Sequence, residues 1–166
     1  MYDMEERLLE FAARIIRLVD SLHATKAANH VGGQVLRSGT SPLPNHGEAQ
    51  AAESIDDFIH KLKLCQKELI ETRRWQRLIH RVPLLEKPGK MEPLMDEVLQ
   101  LIRIFAKSIQ TSERRRDSMK NGRVQESSDD PEPWLLDPWM IGVERLAFEV
   151  QPPAGPVKYG KGARKK

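Results

Sequence analysis

The chain has little of the chemistry on which disulfide scaffolds, zinc domains and membrane proteins depend. Its one cysteine, Cys65, excludes an intramolecular disulfide, leaves too few thiolates for a zinc site and favours a reducing compartment. Aromatic residues form only 5% of the 166 residues, so any core must be aliphatic. No stretch approaches the roughly 20 apolar residues that a membrane span needs. The acidic start at Asp3, Glu5 and Glu6 is unlike a secretory signal, so we expect a cytoplasmic protein.

Residues that could catalyse a reaction or bind a metal are few and scattered. No Glu-x-x-His motif of the di-iron bundles and no glycine-rich phosphate loop is present. The five histidines are His23, His30, His46, His60 and His80. Cys65 falls among regularly spaced apolar residues, which favours a buried and inert thiol. The sequence therefore predicts no enzymatic activity, no metal site and no cofactor.

Amphipathic helical patterning is what the chain has in abundance. Charged residues form 31% of it, and apolar residues recur at spacings of three and four over residues 3–23, 25–51, 53–81 and 91–111. The last pattern weakens toward residue 120 and the stop signal Asn121-Gly122. Four such segments with short connections predict an all-α, antiparallel up-down-up-down four-helix bundle over residues 1–120.

One face of each segment is apolar and is predicted to form the core. The four stripes are Leu8, Phe11, Ala12, Ile15, Ile16, Val19 and Leu22; Val31, Val35 and Leu36; Ile55, Phe58, Leu62, Cys65, Leu69, Thr72, Gln76 and Ile79; and Leu94, Val98, Leu101, Ile102, Phe105 and Ile109. Asp3 and Thr25 are predicted to cap the first two helices. Pro42 and Pro44 remove two backbone donors, which predicts a kink or a break in the second helix.

Residues 121–166 form an extension of different character. Residues 127–133 are typical of a linker, and the following stretch contains Trp134 and Trp139, with a short helix predicted over residues 141–149. The last ten residues carry five cations and no acid. The sequence therefore predicts a mostly irregular extension that docks on the bundle or on a neighbour, or remains a disordered segment for contacting a protein partner.

A polar motif spans the two prolines and carries a family resemblance. It reads Arg37-Ser38-Gly39-Thr40-Ser41-Pro42-Leu43-Pro44-Asn45-His46-Gly47-Glu48-Ala49. This stretch resembles the signature of the bacterial four helix bundle proteins, first noticed as reading frames in intervening sequences of large-subunit ribosomal RNA genes. The resemblance extends over about residues 5–112. The chain departs from the signature at Pro42, where Ile or Val is usual, and at His46-Gly47, which replaces an apolar residue and Ala.

The resemblance implies a fold and an assembly more than a reaction. Proteins of this family are antiparallel four-helix bundles that associate into pentameric rings. Related accessory proteins of diversity-generating retroelements form basic pentameric barrels that engage nucleic acid and a reverse transcriptase. Homo-oligomerisation and nucleic-acid binding are therefore what the resemblance implies for this chain.

The third segment carries the best candidate binding surface. At about 100° per residue, five cations fall within a sector of roughly 80°, opposite the apolar stripe and interrupted only by Ile70. They are Lys63, Lys67, Arg74, Arg77 and Arg81. A stripe about 25 Å long could follow a phosphate backbone and bind RNA or DNA electrostatically, without base stacking. The alternative is that these cations only solvate an exposed helix face.

Two further groups of residues have open interpretations. Leu64, Trp75 and Leu78 share another sector of the same segment, which fits either bundle packing or a subunit interface. The polar motif residues Arg37, Ser38, Ser41, Asn45 and Glu48 fit structural hydrogen bonds across the bundle or, alternatively, a ligand site. A scaffold that binds other proteins without any nucleic-acid role is the competing function.

Overall fold

The computed structural model describes residues 3–82 and 84–122, and these residues form a four-helix bundle. The helices are α1 (Met4–Asp20), α2 (Lys26–Thr40), α3 (Pro42–Gln50), α4 (Ile55–Arg81) and α5 (Glu92–Lys120), and a short 3-10 turn (Pro88–Met91) precedes α5. Since α2 and α3 together form the second predicted helix, the predicted four-helix architecture is confirmed. Within the described ranges there is no strand.

Side-chain caps define where three of the helices begin. The Asp3 carboxylate accepts a hydrogen bond from the Glu6 amide at 3.2 Å, and Thr25 Oγ1 accepts one from the Ala28 amide at 3.1 Å. Both predicted caps are therefore confirmed. Ser54 caps α4 in the same way, accepting from Asp57 at 3.1 Å. Each cap satisfies a backbone donor that has no partner within its helix.

The two prolines divide the second helix at Ser41 without reversing the chain. Ser41 keeps helical backbone angles (φ −60°, ψ −33°), and Pro42 begins α3 as its first helical residue. Proline is tolerated at that position because the missing amide has no partner to lose. Hydrogen bonds still cross the junction, from the Ser41 amide to Arg37 and from the Asn45 amide to Ser41. The junction therefore keeps α2 and α3 against the same neighbours.

Ion pairs between the longest helices show how they are oriented. Asp56, in the first turn of α4, lies 3.2 Å from Arg116 in the last turns of α5. Further along α4, Lys63 pairs with Glu113 at 2.7 Å. Residue numbers thus rise along one helix as they fall along the other, so α4 and α5 run in opposite directions.

The buried face of α4 agrees closely with the prediction, whereas that of α1 does not. Of the predicted α4 stripe, only Ile55 remains partly exposed, and Ile59 is additionally buried. In α1 the predicted core residue Ile16 is 46% exposed, and Leu18 is buried in its place. The reason is helical geometry: Leu18 continues the spacing of Phe11 and Ile15, whereas Ile16 lies about 100° around the helix from Ile15. Leu36 of α2 is likewise exposed, contrary to prediction.

Gln76 is a polar residue in a largely apolar core, which contains Phe11 and Phe105 besides its aliphatic residues. Its side chain is fully buried, and neither its amide nitrogen nor its amide oxygen has a hydrogen-bond partner among the described residues. A buried polar group without a partner costs about 1–3 kcal/mol. We therefore expect Gln76→Leu, which keeps the volume and removes both polar atoms, to stabilise the fold by about 1–2 kcal/mol in urea denaturation.

Thr72→Val is the matched control for that substitution. Thr72 is also fully buried in α4, but its hydroxyl is bonded to Ser38 and to the Glu68 carbonyl. Removing a satisfied hydroxyl is expected to destabilise the fold by about 1 kcal/mol. If both substitutions destabilised the fold, the Gln76 amide would have to make a stabilising hydrogen bond, which would contradict this prediction.

The predicted extension lies outside the described residues. This applies to the linker at 127–133, the segment with Trp134 and Trp139, the helix at 141–149 and the basic end. The last described residues are Asn121 and Gly122, where Gly122 has a φ of +63° that favours glycine at the end of a helix. None of the described helices is long and apolar enough to cross a membrane.

Candidate nucleic-acid interface

The outward face of α4 carries all five cations that the sequence singles out. Lys63, Lys67, Arg74, Arg77 and Arg81 are exposed, because the opposite face of the helix is buried in the core. Their spacing along 18 residues places them in a row about 27 Å long.

Ion pairing divides these cations into two kinds. Lys63 pairs with Glu113 of α5. The other four cations have no ion pair with a carboxylate in the part of the chain that the structure describes, although the charge of Lys67 contributes to the lowered pKa of Glu71. Three exposed guanidinium groups, none of them paired with a described carboxylate, therefore lie in the C-terminal half of α4.

Apolar side chains share the face with the cations. Ile70 is 36% exposed and Leu78 is 39% exposed, and both line a shallow groove of about 610 Å³ with Trp75. Three cations line the same groove: Lys63, Lys67 and Arg74. The basic stripe and the apolar patch, which the sequence separates by their directions on a helical wheel, therefore form one surface. We call this surface the α4 groove.

Trp75 is held at the edge of the α4 groove by contacts on both sides. Its ring packs partly buried against the core, and its indole N–H donates to the Glu71 carboxylate at 3.2 Å. Leu64, about three turns before Trp75, is half-buried. Of the three candidate interface residues, Leu78 is the one whose side chain is free for contact with another molecule.

Arg37 links α2 to this edge of the groove. Its guanidinium donates to Glu68 at 3.2 Å and to Glu71, and the hydrogen bond to Glu71 raises the pKa of Arg37. The Trp75 indole, together with Arg37 and Lys67, holds the pKa of Glu71 below its ordinary value. Glu71 is therefore a fixed anion that positions Trp75 and Arg37 at physiological pH.

This arrangement predicts an acid-sensitive groove edge. The pKa of Glu71 is lower in the folded protein than in the unfolded chain, so the ionised carboxylate stabilises the fold. This stabilisation is complete above the ordinary glutamate pKa of about 4.3, and it is lost as the pH falls through the lowered pKa of the folded state. In a chain with Trp134→Phe and Trp139→Phe, Trp75 emission is expected to change only below about pH 4. Glu71→Gln is the control and should abolish the transition. A transition centred above the ordinary value would contradict the lowered pKa.

The remaining motif residues tie the second helix to α4. Ser38 is fully buried and accepts a hydrogen bond from Thr72 at 3.0 Å, and Glu48 pairs with Lys61 at 2.5 Å. The Asn45 amide donates to the Ser41 carbonyl at 2.8 Å and thus braces the proline junction. These contacts distribute the motif along the α2–α3 side of α4. They do not bring its five residues together around a common cavity.

Cys65 and His46 are packing residues in this structure. The Cys65 thiol is fully buried, donates to the Pro42 carbonyl at 3.5 Å, and has its pKa raised to about 12 by burial. His46 is buried with its ring edge against Phe105, at a centroid distance of 6.2 Å. Among the described residues, no cluster of histidine, cysteine and carboxylate side chains is arranged to hold a metal ion.

Comparisons with known proteins place the bundle in a family. The model of the 23S rRNA-intervening sequence proteins matches residues 2–107. A crystal structure of a protein of unknown function from Bacteroides thetaiotaomicron, described as belonging to the S23 ribosomal protein family, is 32% identical. Its alignment covers 64% of this chain and 98% of that chain, with a TM-score of 0.59. No curated protein matches. The chain therefore belongs to the 23S rRNA-intervening sequence protein family.

Proposed function

We propose that this protein is a non-enzymatic homo-oligomer that binds RNA or DNA electrostatically through the α4 groove and the arginines beside it. The observation that carries the proposal is the row formed by Arg74, Arg77 and Arg81, which are exposed and lack internal ion pairs among the described residues. When cations without an internal partner neutralise phosphates, counterions condensed on the nucleic acid are released, and this release drives binding.

The same surface argues against recognition of a base sequence. Among the residues that line the groove, Trp75 is the one with an aromatic side chain. Its ring is partly buried, and its indole N–H donates a hydrogen bond to Glu71. Stacking of unpaired bases needs exposed rings, and base readout needs side chains placed in a groove of the duplex. The proposed contact is therefore with the phosphate backbone. Its affinity should depend on salt far more than on sequence.

Oligomerisation would strengthen this contact. Neutralising three or four phosphates with one copy gives weak binding at physiological salt, whereas a ring presents several copies to one strand and raises the effective concentration of the later contacts. We propose a pentamer in the cytoplasm, which is the assembly that the family resemblance implies. The net charge of each chain is only +3, so the proposal depends on the local row of cations and on its repetition.

Size-exclusion chromatography with light scattering tests both parts of the proposal. Protein purified from cells without nuclease at low salt is expected to elute as an oligomer with a raised 260/280 nm absorbance ratio. At high salt the oligomer should remain and the ratio should fall to that of pure protein. A monomer, or an oligomer with the ratio of pure protein at low salt, would contradict the proposal.

A protein-interaction scaffold is the second candidate function. The observation that favours it is the apolar part of the α4 groove, where Ile70 and Leu78 are exposed. A phosphate backbone would make no use of these side chains, whereas apolar side chains of a protein partner could pack against them. Replacing both residues by Ser distinguishes the two functions. The substitutions should abolish capture of a protein partner under the scaffold hypothesis and leave nucleic-acid affinity nearly unchanged under the first.

A further inference from the structure

The α4 groove has two chemical requirements that a nucleic acid meets only in part. Its cations include Lys67 and Arg74, which have no ion pair among the described residues, while its one carboxylate, Glu71, is already bonded to Arg37 and Trp75. Its apolar residues Ile70 and Leu78 are each more than one-third exposed and can pack against apolar side chains. An occupant that satisfies the whole groove must therefore combine carboxylates with large apolar groups in a short segment.

The chain itself contains one segment of that composition. Residues 126–149 carry seven acids and a single arginine, and this stretch includes two of the three tryptophans. Asp129, Asp130 and Glu132 precede Trp134, and Asp137 lies two residues before Trp139. The groove of the described bundle is complementary to this segment, because its cations are opposite in charge to the acids and its exposed apolar residues can pack against the tryptophans.

The described chain ends at a point from which this segment can reach the near end of the groove. Glu113 of α5 contacts Lys63 at 2.7 Å, and Gly122 lies nine residues beyond it, or about 14 Å along the helix axis. The next six residues, 123–128, can span up to about 20 Å. The acidic segment therefore begins within reach of Lys63. The groove from Lys63 to Leu78 is about 22 Å long, and a segment of 13 extended residues exceeds that length.

We propose that the acidic tryptophan segment around residues 129–141 occupies the α4 groove of its own chain and competes there with nucleic acid. Asp129, Asp130 and Asp137 are opposite in charge to the cations of the groove, and Trp134 and Trp139 are large apolar side chains that suit Ile70 and Leu78. The competition rests on the proposed function, whereas the docking itself does not.

Photo-crosslinking of the full chain tests the docking without any nucleic acid. Benzoylphenylalanine in place of Trp139 is expected to crosslink, on illumination, to the peptide that contains Ile70, Trp75 and Leu78. The product should keep the mass of one chain on a denaturing gel, and Lys67→Glu with Arg74→Glu should strongly reduce its yield. Crosslinks to α1 or α2, crosslinked dimers as the main product, or no crosslink would each overturn docking within the chain.

Nucleic-acid affinity tests the competition. Trp134→Ser with Trp139→Ser removes the apolar anchors without changing the charge, so it cannot raise affinity by adding cations. If the segment occupies the groove in about nine-tenths of the molecules, the double substitution should tighten binding of a labelled RNA about tenfold. Unchanged affinity would overturn the competition. Crosslinking to α4 in a protein that binds no nucleic acid in either form would support the docking and overturn the proposed function.

Discussion

Reversing the charge of four cations on α4 is expected to abolish nucleic-acid binding while the bundle stays folded. The variant combines Lys67→Glu, Arg74→Glu, Arg77→Glu and Arg81→Glu. All four side chains are exposed on the face opposite the core, so circular dichroism should report unchanged helicity. Each lost phosphate contact removes about one unit from the salt dependence of log K, and four reversals should weaken binding at moderate salt by about a hundredfold or more.

A variant with the same change in net charge separates the local row from the total charge. Exposed cations outside α4 are available for this control: Lys26, Lys87, Lys90 and Arg103. Their replacement by Glu should weaken binding much less, because they are distributed over other parts of the bundle. Equal losses of affinity in the two variants, measured by fluorescence anisotropy in the same buffer, would mean that net charge alone governs binding.

Gly39→Val is expected to destabilise this bundle more than Thr72→Val does. A Cβ atom at Gly39 would lie 2.8 Å from two side-chain carbons of Ile15, which is closer than real Cβ contacts allow. Ile15 is β-branched and fully buried in α1, so it has little freedom to move away. The added side chain should therefore force α1 and α2 apart and cost about 3 kcal/mol.

Gly33 provides the matched control within the same helix. A Cβ atom there meets nothing within 4 Å, because Gly33 lies on the solvent side of α2. Gly33→Ala is expected to stabilise the protein by about 0.5–1 kcal/mol, since glycine is a poor residue for a helix interior. Both variants should be compared in urea at one protein concentration, because unfolding of an oligomer depends on concentration. If Gly39→Val were as stable as the parent, the close approach of α1 and α2 would be wrong.

The fold was largely predictable from the spacing of apolar residues. In α4 the three-four alternation runs from Ile55 to Ile79 against α2, α3 and α5, so small errors in direction average out and the buried face follows the pattern. In α1 the buried residues Met4, Leu8, Phe11, Ile15 and Leu18 follow spacings of four and three, whereas Ile16 lies about 100° around the helix from Ile15 and is exposed. The sequence of α1 therefore contains the narrower stripe, and the prediction made that stripe too wide.

The candidate site was predictable only in part. The positions of the cations on a helical wheel predict their exposure, which depends on direction alone. The groove depends also on side-chain length and ion pairing, because the Trp75 indole is bonded to Glu71, which accepts a further hydrogen bond from Arg37. Pairing of Lys63 with Glu113 likewise depends on α5, and it shifts the unneutralised charge toward Arg81.

Chemical footprinting of the full chain tests the location of nucleic-acid binding most directly. Lysines are acetylated and arginines are modified with phenylglyoxal, with and without a mixed-sequence RNA, and the modified peptides are quantified by mass spectrometry. We expect RNA to protect Lys67, Arg74, Arg77 and Arg81 and to leave Lys26, Lys87 and Lys90 as reactive as before. Protection of the second group, or equal reactivity of the α4 residues with and without RNA, would contradict phosphate binding at α4.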